Sequence, residues 1–247
     1  MTCPALYLPA RIASGELGRL KRNPAQYRLA GFNVAAPLKE EAAVLCDSRT
    51  EAARDTESVN TVRVQGDLWL GHNTDCGSIH AVLTEAWDLP EPPAQAIILG
   101  SGVAARSAVY ALFRWSVPHI AVFNRSPGGR RRMLRWLDKF HTERSGQVEV
   151  APLANAEPYA TSAAPGVWIC CLPASVAVSP FLPLAVASGH GLLLDLRYGR
   201  QLPNYEPPWG CRLIDGKPVL LMKGGLSFAW WFGLPVPWHA MRAALNN

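Results

Sequence analysis

The spacing of apolar and polar positions changes near residue 93. Glu91-Pro92-Pro93 closes an amphipathic stretch, and the residues that follow form a short apolar run ending at Gly100. A linker followed by a buried strand has this form. Beyond it the pattern predicts a strand at 96–99, a helix at 104–115, a strand at 120–123 and a helix at 130–140. Further strands are predicted at 148–151, 167–171 and 191–196. Short strands separated by helices imply a parallel sheet with crossover connections.

Before the linker, residues 29–34, 58–64 and 67–70 read as strands, with a turn at Gln65-Gly66, and residues 40–45 and 74–87 read as helices. The tail from Ser227 onward, rich in Trp and Ala, reads as a helix that breaks at Gly233-Leu234-Pro235 and resumes to the C-terminus. The pattern therefore divides the chain into an α/β unit over 1–92, with 226–247 packing back onto it, and a parallel-sheet unit over 93–225. No internal repeat is visible.

Composition narrows the class. A chain of 247 residues that is 49% hydrophobic and 17% charged can bury a substantial core, which argues against disorder. Apolar runs such as Val219 to Met222 fall far short of the roughly 20 residues a membrane-spanning helix needs, and Met1 to Ala10 lacks the layout of a secretory signal, so the cytoplasm is the expected compartment. The six cysteines show no C-x-x-C and no Cys/His spacing of the zinc kind, so they read as reduced thiols with no metal site. Much of the net charge of +5 comes from Arg125 and from the stretch Arg130 to Arg135. A local basic cluster suits a phosphate group. Nucleic acid would call for a recognisable module or an aromatic-interleaved basic face, and neither is present.

Gly100-Ser101-Gly102-Val103-Ala104-Ala105 follows a predicted strand and opens a predicted helix, which is the setting that gives G-x-G-x-x-A its meaning. The first glycine permits a tight turn, the second lets the backbone approach a pyrophosphate, and the alanine lets helix and strand pack closely. The helix start then offers unpaired N–H groups to an anion. The next strand ends in Asn124-Arg125-Ser126 with no acidic residue placed to hold a ribose diol. The guanidinium of Arg125 and the hydroxyl of Ser126 suit a 2′-phosphate, so NADP is expected over NAD.

Three further segments hold residues that chemistry can use: Gly31 to Glu40, Ser58 to Thr61 and Gly71 to Asp75. Each lies at a strand end or a helix start, where the cleft edge of a sheet forms, and a lysine and a carboxylate meeting there can exchange a proton with an alcohol or ketone. Singly, each has an ordinary explanation: Lys39 as a surface residue at a helix start, Asn73, Thr74 or Asp75 as an N-cap, Asn60 as a turn residue.

Taken in order, Gly31-Phe32-Asn33-Val34, Pro37-Leu38-Lys39-Glu40, Val59-Asn60-Thr61, Asn73-Thr74-Asp75, the Gly100 loop, Asn124-Arg125-Ser126, Asp215-Gly216 and Leu221-Met222-Lys223-Gly224-Gly225 resemble the shikimate dehydrogenase family. The resemblance spans about residues 31 to 233. It implies a Rossmann-type NADP-binding domain beside a smaller α/β substrate domain that is N-terminally truncated and completed by the C-terminal helices. It implies Lys39 and Asp75 as the catalytic pair and Asn60 as a substrate ligand. Tyr198, in Asp195-Leu196-Arg197-Tyr198, becomes a substrate contact, and Gly100, Ser101, Gly102, Val103, Ala104, Asn124, Arg125 and Ser126 become the NADP site. The reaction implied is hydride transfer between the nicotinamide and a ring carbon, with the Lys/Asp pair managing the proton on the attached oxygen.

The chain departs from the family at the substrate end. The family opens with a strand–helix unit carrying a Ser-x-Ser pair that binds a carboxylate, whereas here only Ser14 precedes Gly31, and residues 5–11 resemble the family's second strand rather than its first. Ala35 replaces a threonine, Lys223 replaces a glutamine, and Cys170-Cys171-Leu172-Pro173 replaces Asn-x-Thr-Pro. These changes imply a polar or anionic small-molecule substrate related to the family's but distinct from it, with Lys223 as a cation for an anionic group or as an ion-pair partner of Asp75. A non-redox reaction on the same scaffold and a non-catalytic metabolite-binding role stay open; retained Lys39 and Asp75 weigh against the second. Trp230, Trp231 and Trp238 can serve the core, close a pocket or bury a homodimer contact.

Overall fold

The computed structural model describes residues 6–22, 29–140, 148–156, 166–177, 181, 189–198 and 210–246. After a short helix, α1 (Gly18–Arg22), come β1 (Gly31–Asn33), α2 (Lys39–Leu45), β2 (Ser48–Arg49), α3 (Glu51–Asp55), β3 (Thr61–Gln65), β4 (Leu68–His72) and α4 (Thr74–Ala86). The second series is β5 (Gln95–Leu99), α5 (Val103–Arg114), β6 (His119–Asn124), α6 (Pro127–Phe140), β7 (Val148–Pro152), β8 (Gly166–Cys170), β9 (Gly191–Asp195) and β10 (Cys211–Ile214). Two helices, α7 (Lys217–Phe232) and α8 (Trp238–Asn246), end the chain.

The strands form two sheets. The smaller has the order β1-β3-β4-β2, with β1–β3 and β3–β4 antiparallel and β2–β4 parallel. The larger is entirely parallel, in the order β10-β9-β8-β5-β6-β7. Its chain path runs outward from β5 through β6 to β7, then returns to β8 on the other side of β5. In such a sheet a crevice opens outside the carboxyl ends of the two strands at the reversal, here beyond Leu99 and Cys170.

Hydrophobic burial explains both layers. Ile97, Ile98 and Leu99 of β5 are at most 1% exposed, as a strand covered on both faces must be. One face packs against α4, α5 and α6 through Ile79, Leu83, Val109, Leu112, Met133 and Trp136; the other contributes Phe123, Trp168 and Leu193 to a second cluster. The smaller sheet has its own core of Val34, Ala42, Val59, Val62 and Trp69.

Several boundaries differ from those expected. Residues 6–11, expected to resemble a family strand, form none, and Ala5 lies outside the described residues; Leu6, Tyr7 and Leu8 are 81%, 68% and 68% exposed, so no sheet face buries them. The strand at 58–64 begins only at Thr61, because Val59 N–H donates to Lys39 O (3.0 Å) instead of joining the ladder. The largest difference is α7, which starts ten residues before Ser227 and runs through Gly224-Gly225. A Cβ at Gly225 would stand 2.2 Å from Trp238 Cη2, and one at Gly224 3.0 Å from Met241 Cε. The glycines admit α8, and that packing outweighs their poor helix propensity. The left-handed Gly233 (φ 63°) then ends α7 where the break was expected.

Candidate active site

Three helices bring their charged residues to one point. Lys39 opens α2, Asp75 lies in the first turn of α4, and Lys223 sits mid-way along α7. Lys39 Nζ donates to Asp75 Oδ2 at 2.5 Å, and Lys223 Nζ lies 3.5 Å from Oδ1 of the same carboxylate. Side-chain exposure is 12% for Lys39, 10% for Asp75 and 24% for Lys223. Burial alone would push the Asp75 carboxyl up; the charges and hydrogen bonds of Lys39 and Lys223 outweigh it and hold the group below its ordinary value. The carboxylate is therefore an anion, and two cations against one anion leave the cluster with a positive excess.

The supporting hydrogen bonds fix Asp75 and Asn60. Asn73 caps α4, its Oδ1 accepting from Asp75 N–H at 3.2 Å, while its Nδ2 donates to Thr56 Oγ1 (2.8 Å) and to Ser107 Oγ of α5 (3.0 Å). Asn60 Oδ1 accepts from the Thr74 backbone N–H at 2.9 Å and from the Thr61 hydroxyl at 3.0 Å. That settles which end of its amide is which. The Nδ2 end donates to none of the described residues and remains available to a ligand.

Tyr198 is 49% exposed, and Lys223 Nζ stands 5.9 Å from its ring centroid. The turn that carries it is anchored by a buried bidentate pair, in which Arg197 Nε and Nη2 donate to Asp195 at 2.8 Å and 2.7 Å; Arg197 Nη1 also donates to Val176 O at 2.8 Å. Tyr7 joins the same neighbourhood. Its hydroxyl donates to Asn33 Oδ1 at 3.0 Å, and Asn33 Nδ2 donates onward to Ser227 Oγ at 2.9 Å. Sequence reasoning missed Tyr7, which belongs to no motif; it also missed the Asp195–Arg197 pair, for which the acid–x–arginine spacing after a strand was the available signal.

The phosphate-loop residues stand at the crevice. Gly100 has φ 111°, its N–H donates to Phe123 O at 2.7 Å, and a Cβ there would lie 2.9 Å from Cys171 O, so only glycine fits. Gly102 faces open space, with nothing within 4 Å of an added Cβ. The start of α5, at Val103 and Ala104, has no side-chain cap, which leaves its first N–H groups for an outside acceptor. A dinucleotide pyrophosphate fits that opening.

On β6 and the turn after it the expected residues divide their work. Ser126 Oγ accepts from Gly129 N–H at 3.2 Å and so caps α6, while Asn124 Nδ2 lies 3.4 Å from Ser126 O. Arg130 is tied to the backbone oxygens of Asn124 (2.8 Å) and Arg125 (3.1 Å). The Arg125 side chain is exposed and makes no ion pair or hydrogen bond among the described residues. The loop and the lysine cluster are joined: Arg106 of α5, next to the phosphate-loop turn, bonds Glu40 at 2.6 Å and Glu57 at 3.4 Å, and Glu40 adjoins Lys39.

The tryptophans serve packing within the chain: Trp231 Nε1 donates to Val62 O at 2.8 Å, Trp230 lies 4.9 Å from His72 ring to ring, and Trp238 fills the space over Gly225. Among the described residues no cluster of three metal-ligating side chains occurs, the cysteines are free, and no helix is long and apolar enough to cross a membrane.

Comparison with known proteins agrees with this geometry. Residues 1–62 match the model of the shikimate dehydrogenase substrate binding domain. A shikimate dehydrogenase (NADP(+)) of Anaeromyxobacter sp. (strain Fw109-5) is 32% identical over 220 residues, covering 87% of this chain and 76% of that protein. Among solved structures, shikimate 5-dehydrogenase from Thermus thermophilus, in complex with NADP(H) and shikimate, is 26% identical with a TM-score of 0.71, covering 95% of this chain and 85% of that one. Quinate dehydrogenase from Corynebacterium glutamicum, in complex with NAD, shares the fold at 20% identity with a TM-score of 0.78, over 95% of this chain and 84% of that one. Two sheets joined beside a glycine-rich turn, a buried lysine–carboxylate pair at their edge and this degree of identity over most of the length mean that the chain belongs to the shikimate dehydrogenase family of NAD(P)-dependent oxidoreductases.

Proposed function

We propose that the protein is an NADP-dependent dehydrogenase that transfers hydride to or from a ring carbon of a cyclic hydroxy or keto compound, with substrate recognition altered from that of its relatives. The observation that carries this is the Lys39–Asp75 pair, 2.5 Å apart and nearly buried, tied through Arg106 and Glu40 to the helix of the phosphate loop. The bound nicotinamide supplies the hydride. In reduction the Lys39 ammonium gives a proton to the substrate oxygen; in oxidation the same nitrogen, as the amine, takes the hydroxyl proton back, and Asp75 keeps it aimed at that oxygen.

Gly100, Ser101, Gly102, Val103 and Ala104 receive the pyrophosphate, and Arg125, whose side chain has no partner among the described residues, takes the 2′-phosphate beside Asn124 and Ser126. The absence of an acidic residue at the end of β6 supports NADP over NAD. Asn60 Nδ2, Tyr198 and Lys223 face the substrate, and the positive excess of the cluster favours a polar or anionic one. In this reading residues 1–92 with 226–247 form the substrate side and 93–225 the cofactor side.

The experiment is an NADPH titration followed by fluorescence, then turnover assays over a panel of cyclic alcohols and ketones that includes shikimate and quinate, the substrates named for relatives. Tight NADPH binding with turnover of a panel member supports the reading. Absence of NADPH binding would refute it and direct attention to non-redox chemistry on the same scaffold.

A further inference from the structure

Lys39 occupies only one oxygen of Asp75. The other, Oδ1, faces Lys223 at 3.5 Å, and Lys223 makes its ion pair with no other carboxylate among the described residues. We propose that Lys223 is a positioning residue that acts on the chemistry through Asp75, holding the second carboxylate oxygen so that Oδ2 stays turned toward Lys39. This goes beyond its part as a substrate contact and rests on the reading of Lys39–Asp75 as the proton-handling pair.

Geometry makes the two roles compatible. An ammonium has three donors, so one can reach Oδ1 while the others remain for a ligand. Lys223 comes from α7, a different element from those carrying Lys39 and Asp75, so the carboxylate is held from two sides and cannot rotate about its own axis without losing a partner. The groups around the trio bear on its charge. Lys39 approaches from α2, and Cys76 from α4 with its thiol pushed up by burial and then the Asp75 charge, against smaller lowering pulls from Ser107, its own backbone and Lys39. Tyr198 presents its ring to Lys223 from the turn after β9, and Tyr7, raised by burial against the opposing pull of Lys223, stands over the N-terminal side. The Cys171 thiol, after β8, is also raised, by burial first and by the charges of Cys170, Asp195 and Asp75 after it. None of these four is a competing cation at neutral pH. Lys223 is therefore the one side chain besides Lys39, among the described residues, that favours ionised Asp75 by direct contact.

The test compares wild type with Lys223→Gln, Lys223→Met and Lys223→Arg. With shikimate and NADP as substrates, kcat/KM is followed across pH. Removing the charge is expected to move the acid limb to higher pH, so that at the acid end kcat/KM falls about tenfold further than in wild type. Lys223→Arg is expected to restore the wild-type limb, and the NADPH Kd should not change in any of the three, while Tm falls modestly in the two neutral variants. If shikimate is not turned over, the carbon-13 carboxyl titration of Asp75, assigned by its loss in Asp75→Asn, reads the same effect in the free protein. Met keeps the aliphatic stem and serves if Gln does not fold. A limb, or carboxyl titration, that stays in place in both neutral variants overturns the proposal, even if KM rises, since that outcome leaves Lys223 a substrate contact alone. Failure of the parent reading is separate: it shows as retained turnover in Lys39→Ala.

Discussion

Replacing Lys39 with alanine is expected to separate chemistry from cofactor binding, if Lys39 handles the proton as proposed. The substitution deletes the ammonium 2.5 Å from Asp75 Oδ2 and leaves a carboxylate with 10% side-chain exposure. A buried pair broken in this way costs about 3–5 kcal/mol when the remaining charge is isolated. Here Lys223 still stands 3.5 Å from Oδ1, so the loss of stability should be nearer the roughly 1–3 kcal/mol of one unmade charged hydrogen bond. Loss of a positioned proton donor lowers turnover about 10²- to 10⁴-fold, which corresponds to roughly 3–5 kcal/mol of barrier. The NADPH Kd should change less than about twofold, or ~0.4 kcal/mol, because the Gly100 loop and Arg125 lie at the ends of β5 and β6 of the other sheet. Steady-state turnover from nicotinamide absorbance, Kd from NADPH fluorescence and thermal unfolding together decide the matter. A folded variant that binds NADPH and keeps turnover within about tenfold of wild type would remove Lys39 from the chemistry.

Gly100→Ala forces a side chain onto a residue at φ 111° and into the Cys171 carbonyl, so stability should fall by about 1–3 kcal/mol and NADPH binding should be lost; an unchanged Tm and Kd would contradict that. Arg125→Ala should weaken NADPH binding about 10- to 100-fold, the equivalent of a charged hydrogen bond of ~1.5–3 kcal/mol, and leave NADH nearly untouched; equal losses for both nucleotides would argue against a 2′-phosphate contact. Burial holds the His72 imidazole below its ordinary 6.5, so as pH falls the unfolded chain takes up its proton first. Stability from this group is full above about 6.5 and is lost between there and the depressed value. Denaturant midpoints measured at about pH 7.5 and about pH 5.5 should differ less in His72→Gln than in wild type.

What could be read from the sequence follows from how locally each feature is encoded. The Gly100 loop was legible because its turn, its helix start and the β5 core run are contiguous, and the structure puts all three where the spacing implied. Lys39 and Asp75 were legible only as members of an ordered series, since 36 residues separate them and neither spacing nor periodicity says that they touch. The start of α7 was hidden because Gly224 and Gly225 lower helix propensity, and the reason to keep them there is Trp238 and Met241, which lie further along the chain. Tyr7 was hidden for a similar reason: its partner Asn33 is 26 residues away, and an exposed tyrosine in an extended stretch carries no local signature. Asn60 was visible as a residue, but which end of its amide is free depends on Thr61 and Thr74 in three dimensions.

The bond from Arg106 to Glu40 bears on how such a protein can diverge. Arg106 is nearly buried, and it reaches from α5, behind the Gly100 turn, to Glu40, the residue beside Lys39. In the proposed function, that link ties the nucleotide side of the cleft to the lysine–carboxylate pair. Substitutions around Tyr7 and Ala35, which bond neither Lys39 nor Asp75 among the described residues, can then retune what is recognised without loosening that tie. On the proposed reading, recognition can be altered at one end of the cleft while the lysine–carboxylate pair at the other stays in place.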